Sequence, residues 1–218
     1  MPAYADKTRT ALLAMAAQLV PLARDLCADP SVIDAAREAE AAALDLELLI
    51  ADRHSVSRAF AGHASGVSAA EDSLDRRVGA LSRLVSALAD FGVAEAEGLA
   101  LDLFPDGLEA VIRPTGRAQV PLYVQLAERL GVAATRPVAA RLEPELSALR
   151  EDLLSFCSTT QARESSRASV ASVLVQAAAA TETLRRALTR LDREVERAAD
   201  GVRGELYQRW AASVRGVR

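Results

Sequence analysis

From Val170 onward the apolar residues keep a regular rhythm. Val170, Leu174, Ala177, Thr181, Leu184, Leu188, Leu191, Val195, Ala198 and Val202 are separated alternately by four and three residues. That spacing places one side chain per turn on a single helix face, a heptad seam of the coiled-coil type. Gly201 and Gly204 are candidates to interrupt it. Leu206, Trp210 and Val214 then continue at steps of four, a spacing that turns the apolar face around the helix.

The same periodicity runs through the rest of the chain. Leu12, Met15, Leu19, Leu22 and Leu26 predict a first helix from about Asp6 to Cys27, bent at Pro21, whose ring removes the bond to Ala17. Asp29-Pro30 marks a stop and a restart. A second helix is expected from Pro30 to Phe60, with Val32, Ala36, Ala43, Leu46 and Ile50 inward. Gly62-His63-Ala64-Ser65-Gly66 is read as the loop that ends it. Ser68 with Glu71 three residues later has the form of a capping box. It predicts a third helix carrying Leu74, Val78, Leu81, Val85 and Leu88, closed at Gly92. A short helix over Val93–Leu103 follows.

Phe104 to Arg117 is the least helical stretch, with Pro105, Asp106-Gly107, Pro114 and Gly116 as turn residues. Val111 and Ile112 there are expected to form a short extended piece, the only trace of strand. A helix over Val120–Leu130 should end at Gly131, and another should run from Pro144 to about Cys157. The expected fold is all-α: an elongated up-and-down helical bundle of about six or seven helices with coiled-coil-like packing. It is read as one domain over 1–218. Two related halves, 1–104 and 118–218, joined by the turn-rich segment, are the alternative. LDRR at 74–77 and LRRA at 184–187 give a faint internal echo of such a duplication.

Composition strengthens the helical reading. The chain of 218 residues contains 46 Ala and 30 Leu, only 3 Ile, and 4% aromatics. Ala and Leu are the strongest apolar helix formers, and strand-favouring residues are scarce apart from Val. Half the residues are hydrophobic, enough for a packed core. Of the 26 basic residues 25 are Arg, which with so much Ala points to a GC-rich bacterial coding sequence. Cys27 and Cys157 form no metal or redox pair and are read as free thiols of a reducing, cytoplasmic compartment. The uncharged run Thr10–Ala23 is too short to span a bilayer. Asp6 ahead of it and Pro21 within it argue for a buried helix over a leader peptide.

Candidate chemistry was sought by residue type and spacing. A di-iron bundle needs Glu-x-x-His pairs, and neither His54 nor His63 has a Glu three residues before it. Two His and two Cys at no ligand spacing do not make a zinc site. Neither a phosphate-binding glycine loop nor a nucleophile elbow is present. The chain is therefore read as non-enzymatic, with no catalytic, cofactor or metal residues.

Charge changes that picture more. Residues 1–110 carry 9 basic and 18 acidic groups, whereas residues 163–218 carry 11 and 7. Arg186, Arg190, Arg193 and Arg197 step by four, three and four, so they line one helix face, a candidate interaction stripe. Glu38, Glu40, Asp45 and Glu47 are expected to lie against it. The leading functional expectation is a structural or protein-interaction bundle, a subunit or adaptor that binds a protein partner or itself, without membrane insertion. A bundle holding a small apolar ligand is the alternative. Nucleic-acid binding through the stripe ranks lower, because the net charge is −4 and aromatics to stack on bases are absent.

Overall fold

The computed structural model describes Tyr4 and residues 7–114, 118–199 and 205–216. In chain order these form α1 (Arg9–Leu26), α2 (Pro30–Asp90), α3 (Ala96–Leu103), α4 (Leu108–Ile112), α5 (Val120–Ala133), a 3-10 turn (Pro137–Leu142), α6 (Glu143–Ala199) and α7 (Glu205–Gly216). Among the described residues there is no strand, and the all-α helical bundle expected from the periodicity is what the chain forms. No helix among them is long and apolar enough to cross a membrane.

Several ends follow the local signals. Thr8 caps α1 by accepting from the Ala11 N–H at 3.3 Å. Asp29 accepts from the Ser31 N–H at 2.8 Å and its hydroxyl at 2.6 Å, and Pro30 opens α2 directly behind it. The Ser31 hydrogen bonds hold the Asp29 carboxyl below its ordinary pKa. At the other end of α2, Gly92 has φ +71°. Val93 N–H reaches Leu88 O at 2.9 Å and Gly92 N–H reaches Ala89 O at 2.9 Å, the paired bonds of a Schellman stop.

Other expectations are corrected. Residues 62–66 are not a loop. They continue α2, so Ser68 lies inside a helix and starts none. Neither Gly62 nor Gly66 needs a left-handed backbone. Gly66 faces α6, where an added Cβ would stand 3.3 Å from Thr159 Cγ2. The small residue lets α2 and α6 approach, and the contact offsets glycine's poor helix propensity. Likewise α6 does not stop at Cys157. Its Ser/Thr-rich middle stays helical, with the Ser158 and Thr159 hydroxyls donating back to Ser155 O at 2.9 and 2.7 Å. Val111 and Ile112 are helical in α4, because Gly107 (φ +84°) turns the chain and Val111 is buried in a core. Gly131 lies within α5, whose last residue, Ala133, is fully buried. The helix bounds also shift: Asp6, Gly116, Arg117, Gly201, Val202 and Gly204 lie outside the described residues.

The residues cluster into two compact units, one of 1–58 with 168–218, the other of 59–167. Each draws on chain from both sides of the Phe104–Arg117 segment, and α2 and α6 contribute to both. In the first, Leu12, Leu19, Val32 and Leu46 pack with Leu184, Leu188, Leu191 and Trp210. In the second, Leu74, Val78 and Leu81 pack with Leu99, Leu126, Leu130, Leu146, Leu149 and Phe156. The heptad seam is buried from Ala177 to Val195. Upstream its phase slips: Val173 is buried while Leu174 is 38% exposed, so the covered face there lies one residue earlier than the spacing indicated.

Candidate functional site

The four arginines of the stripe do share a face of α6, within the unit formed by 1–58 and 168–218, but they do not share a fate. Arg190 forms an ion pair with Glu38 of α2. Arg197 pairs with Glu194 and donates to the Ser31 hydroxyl at 2.9 Å. Arg186 and Arg193 are exposed and make no ion pair among the described residues. Of the acidic residues expected opposite, Glu38 is there. Glu40 instead pairs with Arg24 of α1 at 2.5 Å, and Asp45 and Glu47 are exposed without an ion pair among the described residues.

Beside the stripe lies a groove of about 480 Å³ whose wall includes Tyr4, Arg185, Arg186, Arg190 and Arg193. Tyr4 is 1% exposed, yet its hydroxyl has no hydrogen-bond partner among the described residues. Leaving such a group unpaired costs about 1–3 kcal/mol. Burial raises the phenol's pKa above its ordinary value, and Asp192 and Glu196 add to the effect, so the O–H stays protonated. Arg185 pairs with Glu182 and donates to Lys7 O at 2.9 Å, while its Nε is buried without a partner. Nearby, Trp210 Nε1 donates to Asp192 at 2.7 Å, fixing α7 on α6.

The same unit carries a second groove, between α1 and α2, of about 460 Å³. Ala16, Ala17 and Pro21 of α1 and Ala43 and Leu44 of α2 line it, with Glu40 and Glu47 beside them. Leu44 is 56% exposed, and Leu48, one turn further, 61%. Pro21 has no N–H, so the Ala17 carbonyl lacks its helical donor at this groove.

In the unit of 59–167, Asp75, Gln119 and Tyr123 form a polar cluster that sequence reasoning missed. Gln119 is fully buried and donates from Nε2 to Asp75 Oδ1 and Tyr123 Oη, each at 2.8 Å. Tyr123 donates to Asp75. Burial, then Asp75, raises the Tyr123 pKa. Its ring meets Phe156 edge-on at 5.1 Å. A signal existed: Gln119 falls on the same three/four rhythm as Tyr123, Leu126 and Leu130, a polar residue on a buried face. The cluster pins α5 to α2.

His63 is half-buried on α2, and its Nδ1 is 2.7 Å from the Ser166 hydroxyl of α6. It is not the exposed loop residue that the glycines suggested. No acidic group joins the pair, so the arrangement of a nucleophile with an oriented base is incomplete among the described residues. His54 is exposed. No three His, Cys, Asp or Glu side chains among the described residues converge as metal ligands. Cys27 and Cys157 are free thiols. No family model, curated protein or solved structure matches the chain.

Proposed function

We propose that this chain is a non-enzymatic interaction protein of the bacterial cytoplasm, a subunit or adaptor that docks a partner helix between α1 and α2. The observation that carries the reading is the groove there. Its floor is small and apolar, Ala16, Ala17 and Ala43, and the exposed Leu44 borders it. Small residues let a second backbone come close, and exposed leucines at i and i+4 are the anchors a helix-in-groove contact uses. Contiguous exposed apolar surface of this kind marks interaction sites. Glu47, exposed on the rim and outside any ion pair among the described residues, favours a partner helix with Arg or Lys beside its apolar face. The free thiols and the Arg-over-Lys bias support the compartment and the source.

A photo-crosslinking residue at position 44 tests this in the cell. The expected result is a discrete adduct whose cross-linked peptide is an amphipathic helix with basic flanks, from another protein or from a second copy. A substitution of Leu48→Asp should abolish it. Labelling at 44 that is no stronger or more selective than labelling at Phe91, an exposed position in the other unit, would refute the proposal.

A further inference from the structure

Among the described residues, the groove beside the arginine stripe carries more free donors than free acceptors. Arg186 and Arg193 stand exposed and outside any ion pair among the described residues. The Tyr4 hydroxyl and Arg185 Nε are buried with no partner. The two exposed guanidiniums, the phenol O–H and Arg185 Nε are donors on one groove; Glu194 Oε2 is the one acceptor there, among the described residues, that is buried without a hydrogen bond, and Arg197 lies against it as an ion pair. Among the described residues the two carboxylates of the wall each stand in an ion pair, Glu182 with Arg185 and Glu194 with Arg197. Buried polar groups are nearly always satisfied, and an orphan points to a missing water, ion or ligand.

We infer that this groove binds a small polyanion through phosphate groups, a function separate from helix docking at the α1–α2 groove. Guanidinium forks match phosphate oxygens in pairs, and a protonated phenol adds one more donor. Spacing sets the size of the ligand. Arg186 and Arg193 are seven residues apart, about 10.5 Å along the helix axis. One phosphate meets one of them, whereas a chain of phosphates reaches towards both. The groove's volume of about 480 Å³ is that of a small-molecule site. Among the described residues its one aromatic, Tyr4, is buried and offers no stacking platform for bases, and the acidic wall residues weaken the field felt by a long nucleic acid, so the site favours a compact ligand. Arg190, held by Glu38, and Thr189 complete the wall between the two free arginines.

The test is titration calorimetry on the full chain with inorganic tripolyphosphate, without divalent metal and at low salt. One site is expected, with orthophosphate at least about tenfold weaker, the difference of one further charge-assisted contact. Arg186→Gln and Arg193→Gln should each weaken tripolyphosphate binding by about tenfold or more and narrow its advantage over orthophosphate. Tyr4→Phe should weaken it with no loss of helix content by circular dichroism, which separates a binding role from a structural one. Arg58→Gln, an exposed arginine of α2, should change nothing. Three results would overturn the inference: no binding by the parent protein, an equal loss for Arg58→Gln, or tighter binding of duplex DNA with the same arginine dependence. The cross-linking at position 44 does not involve this groove, so either idea can fail without the other.

Discussion

Gly62→Ala separates a loop from a helix at the one place where local composition and the fold disagree most. In a Gly/Ser loop, alanine is harmful where φ is positive and gains only unfolded-state entropy where it is not, whereas proline is tolerated. In α2, Gly62 does not adopt a positive φ, and an added Cβ would meet nothing within 4 Å. No packing is gained or lost, so the effect reduces to helix propensity. Alanine is better than glycine in a helix interior by about 0.8–1 kcal/mol. For a chain of this length such a gain raises the melting temperature by roughly 2–4 °C. Gly66→Ala supplies an internal control. It has the same propensity gain, but its Cβ would stand 3.3 Å from Thr159 Cγ2, and Thr159 is held by its bond to Ser155 O. Part of the gain is therefore lost, and Gly66→Ala should stabilise less than Gly62→Ala. Gly62→Pro goes the other way, removing the bond to the Arg58 carbonyl at a cost of about 3 kcal/mol. The assay is thermal and urea unfolding followed by far-ultraviolet circular dichroism. A neutral or destabilising Gly62→Ala, together with a tolerated Gly62→Pro, would refute the continuous α2.

Leu184→Ala and Leu188→Ala, both at fully buried positions, should each cost about 2–5 kcal/mol in urea melts read by Trp210 fluorescence; no loss would place these side chains outside a core. Tyr123→Phe deletes the donor to Asp75 and one acceptor of Gln119, so it should cost about 1–3 kcal/mol by the same melts, and an unchanged midpoint would show the cluster to be idle. Alkaline pH supplies a fourth prediction. Burial raises the pKa values of Tyr4 and Tyr123 above the ordinary tyrosine value of about 10, so above pH 10 the unfolded chain loses these protons while the folded chain keeps them. Stability from these groups is thus complete below pH 10 and falls as pH rises, by up to about 1.4 kcal/mol per pH unit for each. With only one Lys in the chain to titrate alongside them, Tyr4→Phe with Tyr123→Phe should flatten the decline in melting temperature between pH 10 and 11.5, and an unchanged slope would sink the assignment.

Helix content was legible because the Leu/Ala pattern and the helical period agree over most of the chain. Helix ends were legible where a side chain or a left-handed glycine makes the stop, as at Thr8, Asp29 and Gly92. They were misread where glycine serves packing. Gly66 resembles a loop residue in one dimension and a helix contact in three, since Thr159 is 93 positions away in sequence. The seam shows a related limit. From Ala177 to Val195, α1, α2 and α7 supply the partners of its core, and the burial follows the heptad. At Leu174 and Val173 the spacing is equally good for either residue, and only the neighbour decides which is covered. Tyr4 left no trace at all, because a single aromatic before the first helix belongs to no period.

The arginine stripe shows why a face can be read from sequence while its use cannot. Each residue turns an α-helix by about 100°, so Arg186 and Arg193 differ by roughly 20° around the axis, as do Arg190 and Arg197. The two pairs are offset from each other by about 40°. Spacing alone groups all four as one stripe, since such an offset is well within the width of a helix face. In the folded chain it divides them. Arg190 and Arg197 reach Glu38 and Ser31 at the start of α2 and are spent on holding that helix to α6. Arg186 and Arg193 are exposed and outside any ion pair among the described residues. Glu38 of the acidic first half therefore neutralises Arg190 and Glu194 of α6 itself neutralises Arg197, which leaves the other pair available, and a charge reversal should act accordingly. Arg190→Glu faces a carboxylate and should loosen α2 from α6, though an exposed pair is worth only about 0–1 kcal/mol. Arg193→Glu faces none and should leave stability unchanged while removing whatever anion the free pair holds. Equal effects of the two reversals on both stability and binding would mean that the 40° offset decides nothing.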